Sequence, residues 1–143
     1  MQTSSILRAR GVAIGLTAAI VALTLATAYI HLSLGGLLFT LNAIGYAVLA
    51  AALAAGAVPH RLISRFSWLP RVGLAGFTAV TIAGYLVIGP YFGLGWIAKA
   101  VELGILALLA VDVVRVYGSP AGLVRAALAT LDRDPSRGPM RTA

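Results

Sequence analysis

Four stretches of mostly apolar residues, each long enough to cross a bilayer, follow one another along this 143-residue chain. No other feature narrows its fold as much. They run from Gly11 to Ile30, from about Gly35 to Val58, from Val72 to Gly89, and from about Gly95 to Tyr117. A hydrocarbon core about 30 Å thick takes a helix of about 20 apolar residues. Unsatisfied backbone groups are costly in lipid, so each stretch is expected to be a helix. The alternating pattern of a membrane β-strand is absent from the sequence. The expected fold is therefore all-α, a bundle of four transmembrane helices within residues 1–119. Composition agrees, since only 10% of residues are charged, against about 25% in a soluble domain.

The connections are short. His31 to Leu34 joins the first two helices, which are then antiparallel neighbours. Residues 59–71 join the second and third, with Pro59 and Pro70 placed just outside the helix ends, where a missing N–H does least harm. Pro90 to Leu94 joins the third and fourth.

Orientation follows from the arginines. Arg8 and Arg10 precede the first helix, Arg61, Arg65 and Arg71 lie in the second connection, and Arg115, Arg125, Arg133, Arg137 and Arg141 end the fourth helix or follow it. All ten fall on one side of a four-span arrangement, and the two opposite connections carry none. The positive-inside rule makes that side cytoplasmic, with both termini there. The expected location is a prokaryotic cytoplasmic (inner) membrane, multi-pass. Trp68, Trp96, Tyr29, Tyr91 and Tyr117 fall near the interfaces, where amphipathic rings prefer to sit. A cleavable signal peptide is the rival reading of the first stretch, because Ala26-Thr27-Ala28 fits a cleavage site. The apolar stretch is longer than the usual h-region of about 7–15 residues. Whether residues 1–28 are cleaved stays open.

Residues 120–131 place Leu123, Val124, Ala127, Leu128 and Leu131 at helical spacing. That suits either a short helix on the inner membrane surface or a frayed extension. Residues 132–143 are polar and proline-containing and read as disordered.

The sequence also argues several functions down. There are no cysteines, so disulfides, thiolate metal sites and thiol catalysis are excluded. No metal-ligand cluster, nucleophile motif or nucleotide-binding glycine loop appears; Gly89 to Gly93 lacks the Lys-Ser/Thr of a phosphate loop. No metal or cofactor is therefore expected. The net charge of +7 would suit nucleic acid, but no binding motif accompanies it and the membrane topology accounts for it. His31 and His60 fall on opposite sides, so one chain does not supply a bis-histidine haem site. A quinone near the outer side remains open.

Two rows of small residues bear on association. Gly11, Gly15, Ala18, Ala22 and Ala26 share one face of the first helix, and Ala47, Ala51 and Ala55 one face of the second. Lipid is as apolar as leucine, so close packing of small residues drives helix association. The expectation is tight packing inside one four-helix unit, with a dimerisation face as the alternative.

Ionisable groups inside a span are costly and mark functional candidates. Lys99 and Glu102 are three apart and share a face of the fourth helix. At about 1.5 Å per residue, Glu102 lies about 10 Å into the span. His31 ends the first helix on the same outer side, Asn42 and Tyr46 lie in the outer half of the second, and Thr78, Thr81 and Tyr85 share a face of the third. If these faces converge, His31, Asn42, Tyr46, Tyr85, Lys99 and Glu102 form one polar cavity toward the exterior. It would serve as a ligand or proton site, or as a satisfied network that fixes helix register. Asp112 and Arg115 read as an interfacial salt bridge.

The stretches YIHLSLGGLLFTLNAIGY (Tyr29 to Tyr46) and GWIAKAVELGILALLAVD (Gly95 to Asp112) resemble an uncharacterised family of small prokaryotic four-span membrane proteins. In that family I-H-L…F-x-L-N-x-x-G-Y and K-A-x-E blocks recur. The resemblance covers most of the membrane part and not the tail. It implies that His31, Asn42, Tyr46, Lys99 and Glu102 are the residues to test, and it implies no activity.

Two roles follow. The first is a scaffold or accessory subunit of a membrane complex, with the lipid bilayer, other membrane subunits or a second copy as partners. The second is small-ligand or proton binding or transport through the outer polar cavity. An enzyme acting on lipid would need Glu102 and His31 as an acid–base pair, and nothing marks a nucleophile; the first expectation is no catalysis.

Overall fold

A computed structural model describes residues 2–57 and 65–132. Among these the chain is all-helical: α1 (Gln2–Leu34), α2 (Leu37–Ala55), α3 (Trp68–Ile88), α4 (Gly93–Tyr117) and α5 (Pro120–Leu131). Three helices are long and apolar enough to cross a membrane, namely α1 over Arg10–Leu34, α2 and α3. α4 is as long, but it carries Lys99, Glu102, Asp112 and Arg115 and is not among them. Four apolar spans are thus met by three.

The helix boundaries differ from expectation for identifiable reasons. His31 to Leu34 is not a connection but the last turn of α1; the chain reverses at Gly35 and Gly36, whose φ values of 70° and 84° suit glycine and strain other residues. Pro70 lies inside the first turn of α3 rather than outside it. An N–H there has no intrahelical acceptor, so proline costs nothing. Pro59, His60, Arg61 and the tail from Arg133 onward lie outside the described residues. α4 stops at Gly118, a left-handed residue whose N–H donates to the Val114 carbonyl at 2.8 Å. α5 then starts on Ser119, whose hydroxyl accepts from the Gly122 N–H at 3.0 Å, with Pro120 at the first helical position.

The core packs Ile20 of α1, Leu53 of α2, Leu74 of α3, and Ile105 and Leu109 of α4, all almost wholly buried. α2 and α3 approach closely where Gly45 meets the edge of the Phe77 ring: a Cβ on Gly45 would lie 2.5 Å from it. The two small-residue rows do not take part. Gly11, Gly15, Ala18, Ala22 and Ala26 of α1 are exposed, as are Ala47, Ala51 and Ala55 of α2. Internal packing instead uses the opposite face of α1, at Ile20, Thr24, Thr27, Ala28 and His31. The expectation of internal packing by these rows is therefore corrected: Ile20, Ala28 and threonines fill the bundle, and the small residues are left outside.

One end of the bundle carries the two turns, at residues 35–36 and 89–92; the other carries the described arginines. Asp112, 1% exposed, organises the arginine end. Its Oδ2 accepts from Arg71 Nε at 2.8 Å and its Oδ1 from Arg115 at 3.3 Å. Arg71 also donates to the Ser67 carbonyl at 2.6 Å and lies over the Tyr117 ring. The expected Asp112–Arg115 pair is present, but the better buried partner is Arg71, from another helix.

Candidate ligand site

Glu102 lies on the inner face of α4 and is completely buried. A carboxylate in that setting needs every lone pair answered. Four side chains from three helices surround it. Lys99, one turn back on α4, donates to Oε2 at 2.5 Å. Thr81 of α3 faces Oε2 at 3.3 Å. Thr27 of α1 donates to Oε1 at 3.3 Å, and His31 Nε2, one turn further along α1, lies 3.7 Å from Oε1.

The outer layer of hydrogen bonds fixes these groups. His31 Nδ1 is 2.8 Å from the Thr27 carbonyl. A carbonyl only accepts, so Nδ1 carries a proton and Nε2 is the nitrogen that faces Glu102. Tyr46 of α2 is fully buried, and its hydroxyl is 2.7 Å from Thr81 Oγ1. Thr81 in turn faces the Thr78 carbonyl at 2.9 Å as well as Glu102. Thr78 is fully buried, and its own hydroxyl has no hydrogen-bond partner among the described residues. Lys99 Nζ completes its contacts at the Thr81 carbonyl, 3.3 Å away, and above the Tyr85 ring.

A cavity of about 280 Å³ opens above this cluster, at the turn end. That is near the small end of the about 300–1,000 Å³ usual for ligand pockets. Its polar lining is His31, Asn42, Thr81, Tyr85 and Lys99. Its walls are otherwise apolar, with Leu34, Phe39, Phe92 and Ala98 among them. Leu38, Val80 and Ile88 line it and are 65%, 70% and 80% exposed, so it also opens sideways between α2 and α3. Tyr85 supports the rim by donating to the Phe92 carbonyl at 3.3 Å, and Gly95 makes room for it.

The sequence candidates are thus brought together, but in two layers. His31, Asn42, Tyr85 and Lys99 face the cavity. Glu102 and Tyr46 lie behind it, reached only through Lys99, His31 and Thr81. Asn42 makes no hydrogen bond to any described residue, so its amide is available to the cavity, and the expected cross-helix bond is made by Tyr46 alone. Sequence reasoning missed Thr27 as a Glu102 ligand. Its position four residues before His31, on the same helix face, was the available signal. No group of three or more metal-ligating residues occurs among the described residues. No family model, curated protein or solved structure matches the chain.

Proposed function

We propose that this chain is a four-span membrane protein that binds a small amphiphile in the cavity at its outer end, above a proton-exchanging cluster of His31, Lys99 and Glu102. The observation that carries the reading is the placement of Glu102. It is wholly buried, yet only one side chain away from a cavity lined by Lys99, His31 and Asn42. A network whose only task was to fix register would not require Asn42, which has no hydrogen-bond partner among the described residues, to line an open cavity. α4 serves as the fourth span because three of its four charges turn inward, Lys99 at 6% exposure, Glu102 at 0% and Asp112 at 1%, while Arg115 lies toward its arginine end. The arginine bias supports an outer turn end and cytoplasmic termini.

The test is native mass spectrometry of the protein extracted gently from its own membranes, beside Gly84→Leu. Gly84 lines the cavity, and a Cβ there meets nothing within 4 Å, so the larger side chain fills the cavity without a backbone clash. The expected result is a bound small molecule on the wild type and none on the variant. Equal spectra without adducts would overturn the reading. An accessory role in a larger complex rests on a separate observation, the outward-facing small-residue rows of α1 and α2. Foreign subunits in the same spectra would favour it.

A further inference from the structure

The donor set of the cavity indicates which amphiphile it takes. Lys99 and Glu102 form a neutral pair, but only the cationic partner lines the cavity. Glu102 is turned away, with Oε1 facing Thr27 and His31 and Oε2 facing Lys99 and Thr81. A cationic head would therefore meet the Lys99 ammonium first and find no free carboxylate. Lys99 has three N–H donors, of which two are used, on Glu102 and the Thr81 carbonyl. The third donor and the Asn42 amide remain for a ligand. Two donors lining the same cavity, one of them charged, suit an anionic head with at least two acceptor oxygens.

Charge balance then requires a proton. An anion added to a neutral Lys99–Glu102 pair leaves one uncompensated negative charge inside a span, which is costly. His31 Nε2 is placed to cancel it: protonated, it forms an ion pair with Glu102 Oε1, now 3.7 Å away, and releases Lys99 to the ligand. The ionisable and polar groups around His31 are Thr27 on its own helix, Asn42 and Tyr46 on α2, Thr81 and Tyr85 on α3, and Lys99 and Glu102 on α4. None of these is a second unpaired cation. The apolar walls and the sideways opening between α2 and α3 suit a tail that stays in the lipid.

The geometry points to an anionic single-chain amphiphile, with two or more acceptor oxygens in its head, taken up together with one proton on His31 Nε2. This rests on the cavity reading above. The probe is decanesulfonate, which stays ionised at all pH values used, so any proton exchanged belongs to the protein. Binding to the protein in nanodiscs of zwitterionic lipid is measured by calorimetry in buffers of differing ionisation enthalpy, which counts protons. The expected result is one proton taken up per probe, and an affinity that rises about tenfold for each unit that pH falls while free His31 is neutral. His31→Gln should abolish both proton uptake and the slope. Proton uptake that survives in His31→Gln overturns the assignment to His31. Decyltrimethylammonium binding as tightly as the sulfonate overturns the anion class; if Gly84→Leu abolishes both, the cavity reading stands alone. Butanesulfonate matching the longer probe shows a water-soluble source and overturns the acyl-chain assignment. If no probe shows binding that Gly84→Leu removes, the cavity reading fails as well.

Discussion

Removing one charge of the Lys99–Glu102 pair should do more harm than removing both. In Glu102→Gln the Lys99 ammonium keeps its charge at 6% exposure and loses its anion. Breaking a buried pair from one side costs about 3–5 kcal/mol. In Lys99→Met the carboxylate is left at 0% exposure but keeps Thr27, Thr81 and His31 beside it, so the cost is at the lower end of that range. The double variant Lys99→Met with Glu102→Gln carries no charge, and Gln retains partners in Thr27 and Thr81. Its cost reduces to hydrogen bonds worth about 1 kcal/mol each, about 1–2 kcal/mol in total. The coupling between the sites is then about 4 kcal/mol or more. The assay is reversible SDS-driven unfolding in mixed micelles, followed by far-UV circular dichroism. Additive single variants, or a Glu102→Gln that costs under about 1 kcal/mol, would refute the reasoning, because both require the two charges to be solvated.

Three further outcomes follow from local packing. Gly95→Ala should destabilise by about 1–3 kcal/mol, since its Cβ would lie 2.5 Å from the Tyr85 hydroxyl, whereas Gly84→Ala should gain about 0.5–1 kcal/mol in the same unfolding assay. Thr78→Val should be neutral or stabilising by about 1 kcal/mol, because it removes a buried hydroxyl without a described partner; a clear loss of stability would mean that the hydroxyl is bonded in the membrane. At the arginine end, Arg71→Gln should cost about 3 kcal/mol and Arg115→Gln under about 1 kcal/mol, since the two side chains are 11% and 34% exposed beside the same Asp112; equal costs would contradict that ranking.

The helices were legible because lipid imposes a length on apolar stretches, and an error of a few residues at each end does not change the count of elements. The turn at Gly35 and Gly36 was not placed, since hydropathy does not distinguish the last turn of α1 from a loop; the paired glycines were the cue. The meeting of His31, Lys99 and Glu102 was legible because ionisable groups on buried helix faces must find each other. Arg71 as the main partner of Asp112 was not, because it is distant in sequence and reads as one more cytoplasmic arginine. The small-residue rows misled. Spacing shows that a face permits close approach, but not whether the neighbour belongs to the same bundle. The roles of Thr27 and Thr81 depend on which face of each helix turns inward, and threonine is too common in such helices to announce itself.

Accessibility of position 42 tests the account most directly, and the cysteine-free sequence makes it clean. Asn42→Cys is placed in the otherwise native chain and treated with a membrane-impermeant maleimide, in right-side-out and in inverted vesicles. Labelling is expected in right-side-out vesicles alone, and it should be blocked when Gly84→Leu is added to fill the cavity. Labelling from the inverted side, or none from either side in the presence of Gly84, would contradict an outward-opening cavity above Lys99 and Glu102.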